Sequence, residues 1–105
     1  MNLLFLGRDA CKTAPGDDSS GILINHRVLI DTGYFLIDRL RTVGIEPCEI
    51  ETVFFTHMHH DHYMGLPQLI FSYLSEEKPL ALLHLYGPAG ALQRTVELTM
   101  DFLQV

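Results

Sequence analysis

Apolar positions follow two different rhythms along this chain. Residues 2–6, NLLFL, form a short apolar run closed by Gly7. Two more runs, 21–24 (GILI) and 28–31 (VLID), are separated by Asn25-His26. Short aliphatic runs around an Asn-containing turn predict a strand followed by a β-hairpin. From 34 to 43 the spacing lengthens: Phe35, Leu36, Leu40 and Val43 recur every three or four positions, with Asp38, Arg39 and Arg41 opposite. That is an amphipathic helix, with Gly44 placed to end it. Residues 52–56, TVFFT, are β-branched and aromatic and predict a buried strand. Gly65-Leu66-Pro67 suits a helix entry with Pro67 in the first turn, and Leu69, Ile70, Tyr73 and Leu74 carry that helix to about Glu76. Residues 80–86 predict another strand, stopped by Gly87-Pro88, and Leu92, Val96, Leu98, Met100 and Leu103 mark a last helix.

The predicted order is β, ββ, α, β, α, β, α, and such alternation points to a layered α/β arrangement. Between the first strand and the hairpin lies a polar loop, RDACKTAPGDDSS. The last helical pattern runs to the final residue with no closing segment. Residues 1–105 are therefore expected to stop partway through one domain.

Composition narrows the class. An apolar fraction of 48% with 10% aromatics supplies a genuine core, which excludes a disordered chain. A formal net charge of −6 argues against a broad nucleic-acid footprint made by this segment alone. Bound divalent cations would offset some of that charge locally. Cys11 and Cys48 are far apart and form no CxxC pair, which fits free thiols in a reducing compartment. The start, MNLLFLGRD, lacks a basic leader region, and no stretch approaches the roughly 20 apolar residues of a membrane span. The expectation is a soluble, cytoplasmic protein with no membrane contact.

Residues 54–62, FFTHMHHDH, place four of the six histidines in six consecutive positions, directly after a predicted buried strand. Neutral imidazole is the commonest metal ligand, and carboxylate is its usual companion. On an extended backbone residues two apart point the same way, so His57 and His59 are placed to meet one ion. Asp61 and His62, adjacent on a tight turn, suit a second ion nearby, and together the run opens a two-metal site. A solvated histidine tract that picks up metal incidentally is the rival reading. It leaves the preceding strand and the following helix entry unexplained. Zinc suits these donors, although manganese or iron occupies similar nitrogen–oxygen sites.

Thr-His-Met-His-His-Asp-His resembles the H-x-H-x-D-H signature of the metallo-β-lactamase superfamily. Phe5-Leu6-Gly7 is similar to that family's first strand and turn, and Leu29-Ile30-Asp31-Thr32-Gly33 to its "LIDTG" strand end. Leu85-Tyr86-Gly87-Pro88 resembles the "YGP" of the ribonuclease Z branch and its phosphodiesterase relatives. The resemblance implies the first half of an αββα sandwich, a mixed sheet flanked by helices. It implies His57 and His59 as ligands of one Zn2+, and Asp61 and His62 as ligands of a second. Asp61 would also be the general base, and Asp31 and Thr56 would orient ligands or water by hydrogen bonding. His60 is expected to be a bystander, Tyr63 a packing residue, and His26 and His84 structural.

The implied function is metal-dependent hydrolysis by a ribonuclease Z-like phosphodiesterase, with two zinc ions and an activated bridging water. A third histidine, a bridging aspartate and a last histidine lie beyond the "YGP" strand in that family. Residues 89–105 contain no histidine. The chain alone is therefore expected to have an incomplete site and little activity. The stretch from Asp31 to Leu36 also departs from the acidic "DCGEGTQ" of ribonuclease Z, which keeps other phosphodiesters open beside tRNA. Two alternatives stand: hydrolysis of a lactone, thioester or sulfate ester at the same metals, or a non-catalytic remnant that binds metal or a partner. Expected partners are a phosphodiester or RNA substrate, a second copy, or the missing C-terminal half.

Overall fold

The computed structural model describes residues 1–8, 12–13, 15 and 17–104, so the expectation for Cys11 lies outside the described residues. Five strands form one sheet in chain order: β1 (Leu3–Gly7), β2 (Gly21–Ile24), β3 (Val28–Ile30), β4 (Thr52–Phe54) and β5 (His84–Tyr86). β1–β2 and β2–β3 pair antiparallel, while β3–β4 and β4–β5 pair parallel, which makes the sheet mixed. Parallel neighbours need a crossover long enough to bring the chain back, usually a helix. α1 (Leu36–Thr42) makes the first crossover, and α2 (His60–Tyr63) and α3 (Leu66–Ser75) make the second. α4 (Ala91–Leu103) follows the last strand.

Side chains alternate across a strand, so register sorts them into rows. Leu23, Leu29, Val53 and Leu85 form one row on the covered face, and the first three have no solvent exposure. Leu36 and Leu40 of α1 and Leu66, Leu69, Ile70 and Tyr73 of α3 close over that row to make the core. The opposite face carries Phe5, Ile22, Ile30, Phe54 and Tyr86 in register. Phe5 is 59% exposed, Phe54 44% and Tyr86 51%, and the last two rings stack at 4.9 Å. Run 52–56 is thus buried at Val53 and Phe55 but open at Phe54, instead of buried throughout.

Two predicted boundaries and one helix face shift for identifiable reasons. The helix expected from 34 begins at Leu36, because the Tyr34 and Phe35 amides are taken by the Asp18 carboxylate at 2.8 and 2.9 Å. The strand expected over 80–86 starts as a 3-10 turn, Leu80–Leu82, in which the Leu82 amide bonds back to Pro79. Only His84–Tyr86 pair, because β4 offers just three residues to pair with. In α4 the inner positions are Leu92, Val96, Thr99, Met100 and Leu103, one helical stripe, whereas Leu98 points out at 50% exposure. No helix among the described residues is long and apolar enough to cross a membrane.

Candidate metal centre

β3 and β4 end side by side, with Ile30 opposite Phe54. The residues that follow them build the site. Asp31 continues the pairing through its amide to the Phe54 carbonyl at 2.8 Å, then turns at φ 59, a left-handed conformation that costs a non-glycine residue free energy. Its buried carboxylate accepts from the Thr56 amide at 2.9 Å, the Thr56 hydroxyl at 2.8 Å and the Ser20 hydroxyl at 3.1 Å. It also faces His62 Nδ1 at 2.8 Å. These bonds hold the strained turn in place.

An ionised carboxylate only accepts, so the His62 Nδ1–H donates to Asp31. Carboxylate–histidine pairs of this kind orient a ring for metal binding. The Thr56 hydroxyl donates to Asp31, and its oxygen lies 3.2 Å from His57 Nδ1 and 3.3 Å from His62 Nδ1. The Nδ1 atoms of His62 and His57 thus face Asp31 and Thr56 respectively.

Three of the clustered imidazoles lie close together. The His57 ring lies 4.6 Å from His59 and 3.9 Å from His62, and the Asp61 carboxylate is 3.5 Å from His62 Nε2. His60 stays out of the group and packs its ring against Tyr34 at 5.7 Å. Its neighbours Asp61 and His62 sit on the single-turn helix α2, where a plain turn was expected. His26, in the 25–27 turn, and His84, on β5, are both exposed. Tyr63 is partly buried against the core.

The donor set, three imidazoles and a carboxylate with two rings oriented from behind, fits a divalent cation in kind. Among the described residues no three donors converge on one point as a bound ion requires.

Residues absent from the motif hold this loop. The His62 carbonyl accepts from the Thr32 amide at 2.8 Å and its hydroxyl at 3.1 Å, and the Asp61 carbonyl accepts from Ser19 Oγ at 2.6 Å. Asp18, 2% exposed, takes the Ser19, Tyr34 and Phe35 amides and fills the space over Gly33. A Cβ on Gly33 would lie 2.5 Å from that carboxylate, and φ there is +64. Nothing periodic marks Asp18, Ser19 or Ser20; the one visible signal is an Asp-Asp-Ser-Ser run inside a polar loop. Farther away, burial raises the pKa values of Cys48 and Tyr73 above their ordinary values.

The family model described as "Anti-Pycsar protein Apyc1" matches residues 1–95. The chain belongs to the Apyc1 family. That span of the Apyc1-family chain holds every strand among the described residues and the whole histidine cluster. The chain is 36% identical over 94 residues to ribonuclease Z of Pyrococcus horikoshii, covering 87% of this chain and 30% of that protein. It is 37% identical over 98 residues to ribonuclease Z of Anoxybacillus flavithermus, covering 86% and 30%. Its backbone matches human tRNase Z, short form, with a TM-score of 0.82 at 28% identity, covering 100% of this chain and 41% of that one. The metallo-β-lactamase fold protein YhfI from Bacillus subtilis matches at 0.74 and 20% identity, over 91% of this chain and 40% of the other, which shows the fold.

The expected resemblance is borne out: the Apyc1-family chain has the metallo-β-lactamase fold in its ribonuclease Z-like form. It spans about a third of the length of the curated relatives it matches.

Proposed function

We propose that this chain supplies one part of a metal-dependent phosphodiesterase of the ribonuclease Z type. In this reading His57, His59, Asp61 and His62 are four of its metal ligands. The observation that carries this is the Asp31 hub. One buried carboxylate fixes His62 directly and His57 through Thr56, at the ends of two parallel strands. Such bracing is what metal-ligating histidines need, and a solvated histidine tract has no use for it.

Zinc bound there would supply Lewis acidity toward a phosphoryl oxygen and a lowered pKa for water. The chain's own side chains do the rest. Asp31 keeps the proton on His62 Nδ1, Thr56 lies against His57 Nδ1, and Asp61 is the carboxylate placed to take or return a proton beside His62. In this proposal residues 1–105 form a partial domain. The open sheet face, with Phe5, Phe54 and Tyr86, is the side on which a second sheet completes the sandwich. The remaining ligands would come with that second sheet, and alone the chain would bind metal weakly and turn over little. RNA is the first substrate class, on the strength of the ribonuclease Z relatives; association with a second copy is a further expectation.

One observation favours the non-catalytic reading, namely that no three donors converge among the described residues. Assays of the longer protein containing this segment decide between the two. Metal-dependent cleavage of a phosphodiester, lost in His57→Ala and in Asp61→Ala, is expected. Metal binding without cleavage of phosphodiesters, lactones, thioesters or sulfate esters would support the remnant instead.

A further inference from the structure

Beside α2 a cleft of about 450 Å³ is lined by Phe5, Gly7, Arg8, Ser20, Ile22, Asp61 and His62. Arg8 is its one Lys or Arg among the described residues and is none of the proposed metal ligands. The chain has only seven Lys and Arg against 13 Asp and Glu, so an arginine lining the same cleft as two candidate ligands needs a reason. Arg8 is exposed and, among the described residues, forms no ion pair, although Asp61 borders the same cleft.

The other lining groups have little to offer an anion. The Ser20 hydroxyl donates to Asp31, and the His62 Nδ1–H is spent on the same carboxylate. Asp61 only accepts, and Phe5 and Ile22 present carbon. Arg8 is therefore the lining side chain best able to donate, and its planar fork matches two oxygens of a tetrahedral oxyanion. An apolar wall on one side weakens solvent screening and strengthens the field of a single charge.

We propose that Arg8 is an anion clamp that grips the non-bridging oxygens of a phosphate diester and holds it against Asp61 and His62. The inference rests on the phosphodiesterase reading and sharpens it. A positive clamp selects a charged phosphodiester over an uncharged lactone or thioester, which would leave the guanidinium without a partner.

The test titrates dimethyl phosphate into the 15N-labelled 105-residue chain, with and without zinc, and follows the Arg8 Nε–Hε resonance. Neutral trimethyl phosphate is the control. Dimethyl phosphate should shift that resonance saturably and trimethyl phosphate should not. Arg8→Gln should weaken binding of the diester about tenfold or more, the scale of a charge-assisted hydrogen bond, while Arg94→Gln on α4 leaves it unchanged. Because Arg8 is exposed, unfolding temperature should not move. Equal affinity in Arg8→Gln and the parent chain, or equal response to both esters, overturns the clamp. Zinc binding is scored separately: its failure would count against the metal reading, and the zinc-free titration still decides the role of Arg8.

Discussion

The two faces of the sheet have been finished to different degrees. On one, Leu23, Leu29 and Val53 lie at zero exposure beneath α1 and α3. On the other, Phe54 and Tyr86 stack in register yet remain about half exposed. Both rows are apolar, so the difference is not one of composition. It lies in whether a second layer is present to remove water. The histidine cluster sits at the ends of the same strands, braced from behind by Asp31. The covered face and the brace belong together, and the open face is where the proposed second sheet would complete both the core and the ligand set.

The largest effect should come from breaking the covered face. Leu29→Ala removes a fully buried side chain from the central row and is expected to cost about 2–5 kcal/mol, measured by urea unfolding. Phe54→Ser, in the adjacent strand but on the open face, should change stability by less than about 1 kcal/mol. It should also reduce self-association in sedimentation velocity, because exposed apolar patches drive it. Similar losses in the two variants would mean that the faces are equivalent.

Next comes the brace. Asp31→Ala strips the acceptor from Thr56, Ser20 and His62 and should cost about 2–3 kcal/mol in folding. Zinc affinity should fall about 10–100-fold, read by calorimetric titration. His60→Ala, in the same loop, should leave zinc affinity unchanged, since that ring packs on Tyr34 instead.

Gly33→Ala probes the loop that carries the brace. Its Cβ would collide with Asp18 at a positive φ, so a loss of about 1–3 kcal/mol is expected by thermal unfolding.

The smallest effect concerns pH at the far end of the covered face. Burial raises the Tyr73 and Cys48 pKa values, so the native state keeps protons that the unfolded chain releases. Stability is then fully present below the ordinary values of these groups and declines as pH rises through the raised ones. The Tyr73 hydroxyl also donates to the Ile50 carbonyl, which favours the protonated form. Tyr73→Phe should flatten the alkaline slope in urea unfolding followed across pH.

Much of this was legible in the sequence because short-range chemistry writes it there. The hairpin, the Leu69–Tyr73 helix and the metal motif each rest on spacing within about ten residues. Three features were not legible, for physical reasons. Alternation along 52–56 separates Val53 from Phe54 but cannot say which of two apolar faces is covered. The start of α1 is set by Asp18, a tertiary capping of Tyr34 and Phe35 from 16 residues away. Ser19 and Ser20 act by single hydrogen bonds to Asp61 and Asp31, and one hydroxyl leaves no periodic trace. By contrast Asp31 was expected to orient a ligand from its place in the "LIDTG" strand end, and it stands 2.8 Å from His62 Nδ1.

The central claim is that His57, His59, Asp61 and His62 form part of a metal site that needs further ligands to work. Zinc titration of the 105-residue chain, with phosphodiester turnover followed in the same samples, tests it most directly. Weak binding that disappears in His57→Ala and His62→Ala, with little or no hydrolysis, is expected. Tight binding of two zinc ions with robust hydrolysis, or binding indifferent to both substitutions, would contradict it.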